Sequence, residues 1–356
     1  MQETVNEFDN RGKTEDGRED WLDMLRVAAT LAVVMLHTLT GAVDLAEPGG
    51  DLEKRGLLIV KDLVTWSVPV FLMISGYLFL NPEKKFSYRV MLGRYCRRII
   101  LALFVFGVPF ACMEQISVEG RVGLNMVGKG FLMVLRGEGW SHMWYLYLIL
   151  FLYLITPPLK KLLKYVPQWA VLAALGILLL SGSIFPFLNI LWGRNLLPQM
   201  PAWSMYLFYY IWGYIMVVRK HGGSECKVSL ILPAAALLVC LAMAASRLAG
   251  GYHVQMPYNY PPTVLLSVLL MELAAVNREW CRRASGSMWE ALSSMSFTIY
   301  LIHPLFLNIF YKFLHVMPQD YPMALSLPVF FLATAGLSLL GAWCLRGIAV
   351  LRKYVL

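Results

Sequence analysis

WLDMLRVAATLAVVMLHTLTG, residues 21–41, is the stretch that decides what kind of chain this is. A helix needs roughly 20 apolar residues to cross the hydrocarbon core of a bilayer, and this run is long enough to do so. Three side chains break its apolar character: Asp23, Arg26 and His37. A charge at the centre of a spanning helix costs about 2.5–3.5 kcal/mol, so such residues are functional candidates by default. Arg26 and His37 stand 11 positions apart. At about 100° per residue the two directions differ by only about 20°, with about 16 Å between them along the axis. They share one stripe, Arg26 near one end and His37 in the other half. Packing alone offers a blander account, in which Arg26 snorkels to the interface and His37 hydrogen-bonds a neighbouring helix.

The rest of the chain extends the same pattern. Of 356 residues, 58% are apolar and 15% charged, with a mean hydropathy of +0.60. Soluble domains average about 45–50% and about 25%, so a soluble enzyme, a disordered chain and a small disulfide scaffold are excluded. Apolar runs bounded by charge or by Pro/Gly fall at 22–42, 57–80, 98–116, 143–160, 168–185, 202–218, 229–249, 262–277, 291–313 and 325–345. The expected fold class is therefore all-α: a polytopic membrane protein of about ten transmembrane helices. With the N-terminus inside, the inner segments carry 21 Lys and Arg and the outer ones 9. Both termini are thus expected in the cytoplasm, because basic loops stay on that side. The net charge of +9 is explained by this orientation signal rather than by nucleic acid. Residues 1–20 lack an apolar leader core and are expected to form a disordered cytoplasmic tail, with 21–356 as one transmembrane domain. Six cysteines without a CxxC spacing suggest no metal site and no disulfide framework. Nothing in the sequence signals an oligomeric state.

Other polar residues mark the remaining candidates. The second run ends SVPVFLMISGYLFL, in which Pro69 can break the helix and Ser75-Gly76 allows close backbone approach. The loop that follows, NPEKKFSYRVMLGRYCRR, holds six of the 21 inner charges. Its Arg94 and Arg97 are three apart and project to neighbouring positions, where guanidiniums bind phosphate better than lysines do. Orientation alone also accounts for their charge. Trp140, Trp144 and Tyr145 fit an interfacial aromatic belt, with His142 solvated at the outer mouth. His303 is placed mid-membrane before Pro304, where it could also be structural glue for the proline break. Glu272 is the only acid placed mid-span, set either to pair with an Arg or His or to close a helix end.

Taken together these segments resemble the acyltransferase-3 family of integral membrane acyltransferases. The matching pieces are Asp23-x-x-Arg26 with ten residues between Arg26 and His37, VPVFLMISGYLF at 68–79, Arg94-x-x-Arg97, HMWYLYLILFLYLITPPL at 142–159 and SFTIYLIHPL at 296–305. The likeness runs from about residue 20 to 345, and is nearest to stand-alone O-acetyltransferases of the enterobacterial common antigen type. It implies a bacterial inner-membrane enzyme that moves an acyl group, usually acetyl, from cytoplasmic acyl-CoA to a hydroxyl of a surface glycan or its lipid-linked precursor. It further implies His37 as the catalytic base, with Arg26 on the same stripe in a donor-phosphate or charge-stabilising role. Arg94 and Arg97 would hold CoA phosphates, and Ser75, Gly76 and Tyr77 would line the donor entrance. His142, Trp144, His303 and Glu272 would serve the acceptor. Two rivals share these features: a secondary transporter or flippase, and the membrane half of a split two-domain enzyme. The transporter reading expects broken helices repeated in two halves, and the SGY stretch and Arg-x-x-Arg loop have no partner five spans later.

Overall fold

The computed structural model describes residues 19–45, 51–84, 87–120, 123, 125–221, 231–248, 258–284 and 286–356. The tail expected at 1–20 lies outside them except for Glu19 and Asp20. The main helices are α1 (Asp20–Leu45), α2 (Asp51–Val64), α3 (Ser67–Phe79), α4 (Arg97–Glu119), α5 (Met126–Arg136), α6 (Trp144–Tyr165) and α7 (Gln168–Leu179). They continue as α8 (Phe185–Trp192), α9 (Ser204–His221), α10 (Ile231–Leu248), α11 (Pro261–Val276), α12 (Ser287–Asn308) and α13 (Met323–Gly347). No strand occurs among the described residues. Eight of the described helical stretches are long and apolar enough to cross a membrane, matching the first to fifth, seventh, ninth and tenth expected spans. The sixth and eighth positions hold α9 and the shorter α11. The chain is an all-α polytopic membrane protein.

The residues cluster into two compact units. Unit 1 comprises the chain up to Asn81 together with Val166–Ser296; unit 2 comprises Pro82–Tyr165 and Phe297–Leu356.

In unit 1 the closest helix crossing is that of α3 and α9. A Cβ added at Gly76 would sit 1.8 Å from the Tyr210 carbonyl oxygen, and one at Gly213 would sit 2.2 Å from that of Met73. Only glycine lets two backbones approach so closely, the device that packs membrane helices where lipid supplies no hydrophobic drive. A second cluster joins α10 to α11 through Ala236, Met243 and Leu266, with Trp66 and Tyr260 against it. Arg247 on α10 forms a two-pronged ion pair with Asp62 on α2, at 2.6 and 3.1 Å. The break in the second span falls at Thr65–Trp66, between α2 and α3, and not at Pro69. Pro69 is the third residue of α3, where a missing N–H breaks no helical bond.

In unit 2 a short helix departs from the expected layout. Residues 117–142 read as an outer loop, yet α5 folds back antiparallel along α4. The Gln115 Nε2 donates to the Met126 carbonyl at 3.2 Å, the rings of Phe104 and Phe131 stack at 4.7 Å, and a Cβ on Gly107 would meet Val134 at 2.9 Å. Val127, Leu132 and Leu135 stay exposed on its far side. The chain then turns back at Gly137, whose φ of +73° suits a residue without a Cβ. Trp140 stacks on Phe110 at 4.2 Å, so α6 begins level with the middle of α4 and not at its end.

Candidate functional site

Asp23, Arg26 and Tyr77 of unit 1 gather at the start of α1. Acidic residues suit this position, where backbone N–H groups have no helical acceptor. Asp23 is 2% exposed and accepts from Arg26 Nη1 at 3.0 Å and from Ser293 Oγ at 2.6 Å. A buried carboxylate is costly unless paired and hydrogen-bonded, and here both conditions are met. Arg26 keeps about a quarter of its side chain exposed. Its guanidinium is held by Asp23 on one side. One turn earlier, Glu19 accepts from Trp21 Nε1 at 2.6 Å and from the Tyr77 hydroxyl at 2.9 Å, while the Trp21 and Tyr77 rings meet edge to face at 5.3 Å. Tyr77 is thereby fastened beside the Asp23–Arg26 turn. Of its expected partners, Ser75 is half-buried and Gly76 is occupied by the crossing with α9.

Helix α1 is unbroken from Asp20 to Leu45, so the stripe shared by Arg26 and His37 survives at the spacing of a regular helix. His37 is partly buried. Lys61, on the adjacent α2, lies within electrostatic reach of its imidazole. Glu272 sits four residues before the end of α11 and pairs with Arg219 of α9 at 2.7 Å, so it is a helix-end ion pair and not a mid-span acid. His142, Trp144 and His303, expected with it at the acceptor, belong to unit 2.

In unit 2 the basic loop is helical from Tyr88, with a π turn at Met91–Cys96. Arg94 and Arg97 are exposed, Arg94 over the Tyr95 ring at 5.6 Å and Arg97 over Tyr354 at 5.8 Å. Among the described residues neither joins an ion pair, so their guanidinium edges face solvent from two separate aromatic platforms. Arg98, one residue on, turns inward: Nε donates to the Val355 carbonyl at 3.0 Å and the guanidinium lies over Phe297.

His142 is 2% exposed and not solvated, because the fold-back of α5 carries the 141–143 turn inward. Its ring meets that of His303, which is fully buried, at 5.7 Å. Tyr300 donates its hydroxyl to the His142 carbonyl and touches both imidazoles. Tyr145 lies against Tyr300 at 5.7 Å, and Trp144 stands edge-on to Tyr145 at 6.1 Å. Three of the four residues expected at the acceptor are thus brought into one aromatic cluster. Sequence reasoning missed Ser293, Lys61, Tyr300 and the inward role of Trp140. Only Lys61, a lysine inside an apolar run, carried a visible signal.

The acyltransferase domain of the acyltransferase-3 family matches residues 19–347. Proteins of Staphylococcus aureus strains MSSA476, MW2 and N315, each named a probable poly-beta-1,6-N-acetyl-D-glucosamine export protein, are 20% identical over 322 residues, covering 86% of this chain and 88% of theirs. No solved structure matches. The matched region opens on the Glu19–Asp23–Arg26 turn and runs to the end of α13, taking in both units, and the chain belongs to the acyltransferase-3 family of multi-pass membrane acyltransferases.

Proposed function

We propose that this chain transfers an acetyl or other short acyl group from acyl-CoA to a hydroxyl of a cell-surface glycan or its lipid-linked precursor, at the bacterial inner membrane. The observation that carries the reading is the Arg26–His37 stripe on unbroken α1, with Arg26 oriented by Asp23 and Ser293. His37 accepts the proton of the acceptor hydroxyl as its oxygen attacks the thioester carbonyl, a role that suits an imidazole near neutral pH. The carbon–sulfur bond breaks, and the sulfur leaves with the electron pair and takes up a proton. Arg26 lies about 16 Å from His37 along the helix, too far to share one reacting atom, and so holds a donor phosphate. Within unit 2, Arg94 and Arg97 are assigned to CoA phosphate on their own evidence: their exposed forks sit on tyrosine faces, a surface that also suits a purine. The acceptor reading takes support from the staphylococcal relatives, whose name specifies a poly-N-acetylglucosamine.

The same name favours a second reading, glycan export. Purified chain supplied with radiolabelled acetyl-CoA and N-acetylglucosamine oligomers or lipid-linked glycans separates the two. Acyl transfer predicts thiol release and labelled glycan; export predicts neither. Arg94→Ala with Arg97→Ala should weaken CoA binding at least tenfold at low salt, with the deficit shrinking as salt rises. Unchanged affinity would leave these residues with an orientation role only.

A further inference from the structure

Residues 348–356 bring a second set of cations to the Arg94–Arg97 turn of unit 2. Helix α13 stops at Gly347, and Ile348, with φ −79° and ψ 108°, turns the backbone into a short helix, α14 (Ala349–Tyr354). Basic residues there would satisfy the orientation rule wherever the segment lay. This segment is fixed in place. Val355 and Leu356 are buried, and the main-chain oxygens of both accept from Arg98, Val355 from Nε at 3.0 Å and Leu356 from Nη2. Arg98 is itself half-buried, its guanidinium over the Phe297 ring at 5.1 Å. A rigid fork that grips two successive main-chain oxygens sets both the position and the direction of the segment.

The consequence is a shared ring. Tyr354, next to the gripped residues, carries the Arg97 guanidinium at 5.8 Å from its centroid and the Lys353 ammonium at 5.2 Å. A cation within about 6 Å of an aromatic face is attracted to it, so one exposed tyrosine gathers a fork from the start of α4 and a point charge from α14. Like charges held together repel, and among the described residues neither Arg97 nor Lys353 joins an ion pair. Arg94 rests on a different ring, that of Tyr95. The basic surface thus has two separate platforms, and acyl-CoA likewise bears two separate anionic parts, a pyrophosphate and a 3′-phosphate monoester. A monoester carries about −1.5 to −2 charge at neutral pH and three free oxygens, enough to meet a fork and a point charge at once.

We propose that Lys353 and Tyr354 complete, with Arg97, a site for the 3′-phosphate monoester of the donor, and that Arg98 is the positioning residue that clasps α14 beside α4. The site rests on acyl-CoA being the donor, and it adds the residues by which the chain distinguishes CoA from its dephosphorylated form.

The test is equilibrium binding of radiolabelled CoA and 3′-dephospho-CoA to the full chain in phosphatidylcholine nanodiscs at low salt. The parent is expected to prefer CoA by about tenfold or more. Lys353→Gln and Tyr354→Ala should each cut that preference by about threefold or more, with dephospho-CoA affinity near that of the parent. Arg98→Gln opens the clasp and should cut it as far, with no further loss when combined with Lys353→Gln, because the two act through one segment. Equal weakening of both nucleotides by Arg98→Gln would overturn the clasp. A parent that does not distinguish the nucleotides, or an undiminished preference in Lys353→Gln and Tyr354→Ala, would overturn the site and leave the acyl-CoA reading standing. If Arg98→Gln does not fold, these two variants of exposed residues still decide. A parent that binds neither nucleotide sinks the acyl-CoA reading and the site with it. The preference should persist in discs containing phosphatidylglycerol; its loss there would assign the cations to lipid headgroups and overturn the 3′-phosphate.

Discussion

At the scale of single residues, the start of α1 depends on how buried charge is held. Asp23 is nearly inaccessible, so removing one of its two donors leaves a carboxylate with unmet demand. A hydrogen bond to a charged group contributes about 1.5–3 kcal/mol. Ser293→Ala is therefore expected to loosen the Arg26 guanidinium and raise the KM for acyl-CoA several-fold with a smaller change in kcat. Ser293→Thr, which keeps the hydroxyl, should restore it. Equal losses in KM and kcat in both variants would assign Ser293 to packing alone. Arg26 and His37 were legible from spacing, because helical geometry alone places positions 11 apart on one stripe. Ser293 was not legible, since a serine in a spanning helix carries no sign of its partner and its contact with Asp23 links residues 270 positions apart.

At the scale of helices, two features govern where the side chains end up. The first is the α3–α9 crossing, where Gly76 and Gly213 bring backbones together. Gly76→Ala places a methyl group against the Tyr210 carbonyl, and overpacking of this kind costs about 1–3 kcal/mol or more. A lowered melting temperature in detergent is expected, with loss of folded yield for Gly76→Leu; parental stability of both would contradict the crossing. The second is α5. Its exposed Lys129 and Arg136 and its 11-residue length made it read as loop, since hydropathy detects runs that span and not a short helix laid along a neighbour. That miss propagated to His142, whose burial depends on where α5 ends. The break at Thr65–Trp66 was likewise invisible, because no proline or glycine marks it.

At the scale of the whole molecule, composition and charge asymmetry carried the fold class and predict the orientation. Single cysteines at positions 84 and 352, in a background with the native cysteines replaced by serine, should react with an impermeant maleimide only from the cytoplasmic side. Cysteines at 138 and 194 should react only from the outside, and the reverse pattern would invert the chain. Membership of the acyltransferase-3 family gives the class of reaction, and the proposed mechanism assigns its base to His37. The most direct measurement is single-turnover transfer from radiolabelled acetyl-CoA by the full chain and by His37→Ala, with CoA affinity measured on the same preparations. Loss of a general base lowers the rate by about a hundredfold or more. The account predicts that loss together with CoA affinity within about twofold of the parent, and undiminished transfer by His37→Ala would contradict it.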